Sequence, residues 1–289
     1  MLEGSIQTVT GLISPQKTGF TLPVEHLLSD QTINWAPPAE ASAREIYFAE
    51  LSNETIAHSR YYGLKSLSVD GLGKISDAIE EVDLFKQWGG RSVVDATGSA
   101  GGRDPVGLMR IANATGINVV MTASAPPSNG VDSESSKTSH EMAETIIKDI
   151  TTGADGTQVK TGLISNDSGD GQPQTDLETL QACALAHRST GAPIFVDASA
   201  NEDEPHIVLE VLNELGVDLK AVTFVHMGSH PRSMVKVVVE SGCKVTLDDF
   251  GQGIHPASDY TYSGNDNGNV ERRIASEESM LSTLEWLAS

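Results

Sequence analysis

The feature that most constrains this chain is a rhythm. From residue 91 to residue 250, short apolar runs alternate with helical stretches, and the connections between them are short. The apolar runs predict strands at 91–97, 118–124, 161–165, 193–198, 221–227 and 244–250, preceded by one at 19–27. Strands separated by helices pair in parallel through right-handed crossovers. Such strands are covered on both faces, so they read as apolar runs rather than as alternations. The expected fold class is α/β, a TIM-type (β/α)8 barrel. Seven strands are counted where eight are needed. Either the count misses one or the chain stops one strand short; it is read as one barrel domain over 1–289, in the second case lacking its eighth strand and incomplete at the C-terminus.

Helix punctuation supports the rhythm. Ile75, Ile79, Val82 and Phe85 fall near helical spacing and predict a helix over 74–88. Asp104 reads as an N-cap with Pro105 in the first turn, and Gly116 closes that helix. Further helices are expected at 138–150, 205–215, 231–241 and 270–287. Another, ending at Gly191, opens on a Thr175–Glu178 capping box. Before the rhythm starts, residues 5–18 predict a short hairpin, Ile6 to Val9 and then Leu12-Ile13, turned near Gly11. Residues 28–42 read as irregular, 43–63 as helical, and 251–269 as a polar loop. There is no repeat of solenoid length.

Charge narrows the partners. Lys plus Arg number 19 against 40 Asp plus Glu, a net −21. That balance argues against nucleic acid, whose phosphates need cationic surfaces, and against anionic membranes, while favouring solubility. The two cysteines, Cys183 and Cys243, make no disulfide framework. They are expected to be reduced thiols in a cytoplasmic protein. No apolar run approaches the roughly 18 residues of a membrane span. The start, Met1-Leu2-Glu3-Gly4-Ser5, lacks the basic and apolar regions of a signal peptide.

In a parallel barrel the C-terminal strand ends converge on one face. The run from Gly19 to Leu27 ends in Glu25 and His26, and later strands end at Asp197, His226, and Asp248-Asp249. Side chains two apart on a strand share a face, so an inward His26 has Val24 beside it. His230 and His255 follow strands as loop residues; His58, His140, His187 and His206 fall on helices or loops. The stretch Asp167 to Gly171 is rich in glycine but lacks the Lys-Ser/Thr of a phosphate loop and carries carboxylates.

Three stretches carry a resemblance: Gly19-Phe20-Thr21-Leu22-Pro23-Val24-Glu25-His26; Val93-Val94-Asp95-Ala96-Thr97 with Gly102-Arg103-Asp104-Pro105; and Val225-His226-Met227-Gly228-Ser229 with Leu247-Asp248-Asp249-Phe250-Gly251. Together they resemble the phosphotriesterase family of the amidohydrolase superfamily, as a divergent member. The resemblance implies a metal-dependent barrel that hydrolyses ester, lactone or phosphoester bonds of small molecules. Two divalent ions, usually zinc, activate a bridging hydroxide in that family.

The departures are specific. The family's first strand carries His-x-His, and this chain has Val24-Glu25-His26. The family's bridging lysine is replaced by Ser165-Asn166, and the fifth-strand histidine by Asp197. His226 matches the sixth-strand histidine. The resemblance therefore implies His26, His226 and Asp197 as ligands of one zinc or other divalent ion rather than two, since His₂-carboxylate is a known zinc set. Asp197 and Asp248 are the candidate catalytic carboxylates, with Asp248 or Asp249 as general base. The alternative is a metal-free barrel that serves as a binding or scaffold protein, or a truncated product. An unclosed sheet leaves its first and seventh strands unpaired, so a homo-oligomer is also expected.

Overall fold

The computed structural model describes residues 4–30, 37–62, 66–68, 71–124, 137–166, 177–197, 204–247, 260–263, 271–274 and 277–288. The chain opens with β1 (Ile6–Thr8) and β2 (Gly11–Ile13), an antiparallel hairpin pairing Ile6 with Ile13, as the sequence predicts. The first long strand, β3 (Phe20–Glu25), follows. A two-residue bridge then joins β4 (Ser29–Asp30) to β5 (Gly71–Leu72) across α1 (Ala41–Phe48) and α2 (Asn53–Tyr62). The region expected to be one helical stretch is thus two helices, and the irregular 28–42 contains a strand.

The alternation then runs through α3 (Ile75–Gln87), β6 (Gly90–Asp95), α4 (Pro105–Thr115), β7 (Asn118–Ser124), α5 (Ser139–Thr151), β8 (Leu163–Ser165) and α6 (Leu177–Thr190). It continues through β9 (Ile194–Asp197), α7 (Glu204–Glu214), β10 (Val222–Val225), α8 (Arg232–Glu240) and β11 (Lys244–Val245). One seven-stranded sheet results, in the order β11-β10-β9-β8-β7-β6-β3. Every pairing in it is parallel. All seven predicted strands are present, but β3, β6 and β10 each end two residues early, and β11 covers only Lys244–Val245 of the expected 244–250, whose last three residues lie outside the described ones.

Burial explains why these segments form strands. Val93, Val119, Met121, Ala123, Ile164, Ile194, Val196, Val222 and Phe224 are essentially inaccessible to solvent. Helices cover them with Leu108 and Ile111 of α4, Met142 and Ile146 of α5, Leu180 of α6 and Leu212 of α7. Each such side chain contributes roughly 1.5–3 kcal/mol on burial. The hairpin β1–β2 is tied in by the Val9 N–H, which donates to Val119 O at 2.8 Å. Gly162 is required there, because a Cβ would lie 2.3 Å from Gln7 O.

The helix signals held at α4, where Asp104 accepts from Gly107 N at 2.9 Å and Gly116 closes the helix at φ 71°. A capping box is present at α5, where Thr138 and Glu141 cap each other's backbone. The one predicted for α6 involves Thr175, which lies outside the described residues.

The C-terminal prediction is corrected. The loop 251–269 and the helix 270–287 give way in part to an antiparallel pair, β12 (Tyr260–Ser263) with β13 (Glu271–Ile274), and α9 begins only at Glu277 (Glu277–Ala288). Tyr and Thr suit a strand. A helical pattern in 270–274 could not reveal their partner ten residues away.

Candidate active site

Because the sheet is all parallel, the C-terminal strand ends lie along a single edge. That edge carries His26 just past β3, Asp95 and Thr97 at and past β6, Ser124 on β7, Asn166 past β8, Asp197 ending β9, His226 past β10 and Thr246 past β11. Each apolar strand thus terminates in polar chemistry.

The best-connected cluster joins β3 to β6. Asp95 is fully buried. Its carboxylate accepts from the Leu27 N–H at 2.8 Å and the Thr97 N–H at 3.1 Å. His26 Nδ1 lies 2.9 Å from Thr97 Oγ1. The Thr122 hydroxyl of β7 donates to Asp95 O at 2.8 Å, and the Ala96 N–H to Glu25 O at 2.8 Å. Burial raises the Asp95 carboxyl to about 6, against the lowering effect of hydrogen bonds from Leu27, Thr97 and Leu28. Val24 is buried.

At the other end of the sheet, Asp197 and His226 end neighbouring strands, with Asp197 in register with Val225. Asn166 laces β8 to β9: its amide donates to Asp197 O at 3.2 Å, and the Asp197 N–H donates to its Oδ1 at 2.8 Å. Asn166 is therefore an amide engaged with backbone. His226 adopts a left-handed backbone, φ 58° and ψ 27°, a region that His enters more readily than most residues. The Thr246 hydroxyl accepts the His226 N–H at 3.2 Å, and His230 Nδ1 sits 3.1 Å from His226 O.

Val24 and Asn166, where the resemblance expects ligands, offer neither an imidazole nor a carboxylate to a two-metal centre. The types of His26, Asp197 and His226 fit one zinc ion. Yet among the described residues no three His, Cys, Asp or Glu side chains are grouped to hold an ion. Asp197 and His226 stand on adjacent strands, whereas His26 follows the opposite edge strand. Asp248, Asp249 and His255 lie outside the described residues.

Other groups are structural. Arg103, past β6, donates to Asp155 through Nε and one terminal nitrogen, both at 2.9 Å, to Asp149 of α5 at 2.8 Å, and to Thr122 O at 2.7 Å. Burial pushes the Cys183 thiol up to about 12 and raises that of Cys243, so neither is a ready thiolate nucleophile. His187 of α6 sits 2.8 Å from Ala192 O through Nδ1. Asp95 and Thr97 were missed as functional candidates. Asp95 carried the signal that exposed Asp197, a carboxylate closing an apolar strand; Thr97 carried none.

Fold and strand-end chemistry define an α/β protein whose polar groups gather at the C-terminal edge of a parallel sheet. The profile of the phosphotriesterase family matches residues 4–280, and the chain belongs to that family. A phosphotriesterase-related protein of Nematostella vectensis is 30% identical over 262 residues, covering 87% of this chain and 74% of the relative. The human N-acetyltaurine hydrolase is 29% identical over 261 residues, covering 86% and 73%. Among solved structures, a resiniferatoxin-binding protein from Rhodobacter sphaeroides superposes with a TM-score of 0.81 at 27% identity, covering 99% of this chain and 78% of its own. A lactonase from Listeria monocytogenes shares the fold, with a TM-score of 0.71 at 20% identity over 98% of this chain and 78% of its own. No helix among the described residues is long and apolar enough to cross a membrane.

Proposed function

We propose that this chain is a hydrolase acting on a small molecule at an ester, lactone, phosphoester or related amide bond, on a (β/α)8-type frame. One observation carries the reading: in a chain of the phosphotriesterase family, His26, Asp197 and His226 all stand at the C-terminal ends of strands of one parallel sheet. That is the edge where barrel enzymes keep their chemistry. Relatives named N-acetyltaurine hydrolase and lactonase support hydrolysis of small substrates.

The reading takes one divalent ion, zinc or another, with donors drawn from His26, His226 and Asp197, which would have to come closer together than they stand here to hold it jointly. Bound there, the ion would lower the pKa of a water and polarise the scissile bond. The chain's own residues do the positioning. Asn166 fixes the backbone of Asp197 through two hydrogen bonds, Thr246 holds that of His226, and Asp197 and Asp248 are the carboxylates assigned to proton handling.

The test is elemental analysis of purified protein together with hydrolysis assays on a panel of aryl esters, lactones, phosphotriesters and N-acyl amides. The expected result is about one equivalent of divalent metal, turnover lost on chelation, and turnover abolished by His226→Ala. Hydrolysis that persists in metal-free protein would overturn the ion assignment. A second reading, a metal-free binding protein, is favoured by Val24 and Asn166 at two ligand positions and by the resiniferatoxin-binding structural relative. Saturable binding of a small molecule with no turnover across the panel would select it.

A further inference from the structure

Two buried hydroxyls near the end of β7 use their protons differently. Thr122 donates to Asp95 O at 2.8 Å. Ser124, the last residue of the strand, is 1% exposed, and its oxygen accepts the Ser99 N–H at 3.1 Å. A serine hydroxyl also carries one proton to donate. Among the described residues the structure gives that proton no acceptor. Buried donors are normally satisfied, and leaving one unmatched is costly. Such a group at a strand-end edge points to an acceptor that arrives with a ligand.

We propose that Ser124 is a ligand-binding residue whose hydroxyl donates to a carbonyl or phosphoryl oxygen of a small molecule bound across the strand-end edge. This deepens the hydrolase reading and rests on its placing of the site at that edge; the hydrogen bond itself requires no turnover.

The fold supports the placement. Ala123 belongs to the core built with Met142 and Ile146 of α5, and Val119 and Met121 to the one built with Leu108 and Ile111 of α4. Side chains alternate along a strand, so Ser124 stands on the sheet face turned away from these helices. Ile164 and Val196 are core residues in the same way, which puts Ser165 and Asp197 on the face of Ser124. Ser124 is in register with Ser165 on the neighbouring strand, about 4.8 Å away. In sheet order β7 lies two strands from β3, which His26 follows, and two from β9, which Asp197 ends. A molecule engaging either candidate residue therefore extends toward Ser124. The Ser99 bond also sets the preference. It holds the oxygen, so a ligand's N–H would compete with Ser99, whereas a ligand's acceptor oxygen would not.

The test is an NMR titration of the full chain with γ-butyrolactam, shaped like a small lactone, and with γ-thiobutyrolactam, whose sulfur is the weaker acceptor. The wild type should bind the lactam more tightly than the thiolactam by about 2- to 12-fold, the range of one neutral hydrogen bond. Ser124→Ala should bind both alike, and Ser124→Thr, which keeps the hydroxyl, should retain the preference. If Ser124→Ala fails to fold, Ser124→Cys takes its place, since a thiol is a weak donor. A purely structural Ser124 would shift both affinities together and leave their ratio unchanged. A ratio untouched by the substitution, or a wild type that binds neither compound, overturns the proposal. The hydrolase reading fails by a different result, no turnover on its substrate panel, and that result leaves this contrast standing.

Discussion

Two buried carboxylate centres sit on the same stretch of chain and are stabilised in opposite ways. At Arg103 a guanidinium with 1% side-chain exposure faces Asp149 and Asp155, so charge is met by charge. At Asp95, among the described residues, no cation is in contact; backbone N–H groups hold the carboxylate. The first is a joint. It fastens the segment after β6 to β7, to α5 and to the turn at Asp155, whose φ of 50° is one of only two positive values outside glycine among the described residues. The second keeps a proton-binding group at the strand-end edge, beside a histidine. Paired ions fix geometry, whereas a carboxylate held only by directed donors stays responsive. Perturbed groups of the second kind concentrate at functional sites.

The largest expected effect comes from breaking the joint. Arg103→Met leaves the buried Asp149 without its counter-ion, while Asp155, 40% exposed, is met by solvent; removing one partner of a buried pair costs about 3–5 kcal/mol. Urea unfolding measures this directly. A loss near zero would mean that Asp149 and Asp155 neutralise at little cost, and the contrast with Asp95 would collapse.

The next effect sharpens the contrast through pH. The folded Asp95 carboxyl, at about 6, lies above the ~3.9 of an unfolded chain. Between those values the folded state binds more protons, so stability declines as pH rises from about 4 to about 6 and is flat beyond. The decline is on the order of 2–3 kcal/mol. Asp149 is also raised by burial, with Arg103 opposing, and contributes a slope of the same sign. Unfolding free energies of wild type and Asp95→Asn across this range isolate the Asp95 part, which the variant should lack. An unchanged slope would return Asp95 to the ordinary carboxylate range.

The smallest effect is the control. Lys74 and Asp77 form an ion pair 3.9 Å long, with side chains 81% and 67% exposed. Solvent screens such pairs, so Lys74→Ala should leave the unfolding midpoint unchanged. A drop as large as that of Arg103→Met would show that burial is not what separates the two kinds of pair.

How much of this was legible depended on whether the signal was local. The strands were, because a covered parallel strand must be apolar along its whole length, and Val119 or Ile194 announces that without its partner. Asp104, Pro105 and Gly116 announced α4 because a helix end is satisfied by residues three or four positions away. The hairpin β12–β13 was misread rather than hidden: Tyr260 pairs with Ile274, and Asn267-Gly268 between the two strands is a hairpin signal that was read as part of a polar loop. His26, Asp197 and His226 were found because each ends an apolar run. Thr97 and Thr246 were not, because a threonine beside a strand has many ordinary uses, and its hydroxyl acquires a role only when a neighbouring strand delivers a histidine to it.

From residue order alone came the α/β class, the parallel sheet and the edge on which polar groups collect. These follow from hydrophobic pattern and chain direction, which are properties of short segments. The tertiary structure alone decided which groups touch: Asp95 with Leu27 and Thr97, Asn166 with Asp197, Thr246 with His226, and Arg103 with two aspartates far along the chain. Hydrogen bonds and ion pairs act over about 3 Å, and residues separated by tens of positions come within that reach only when the strands have been laid side by side.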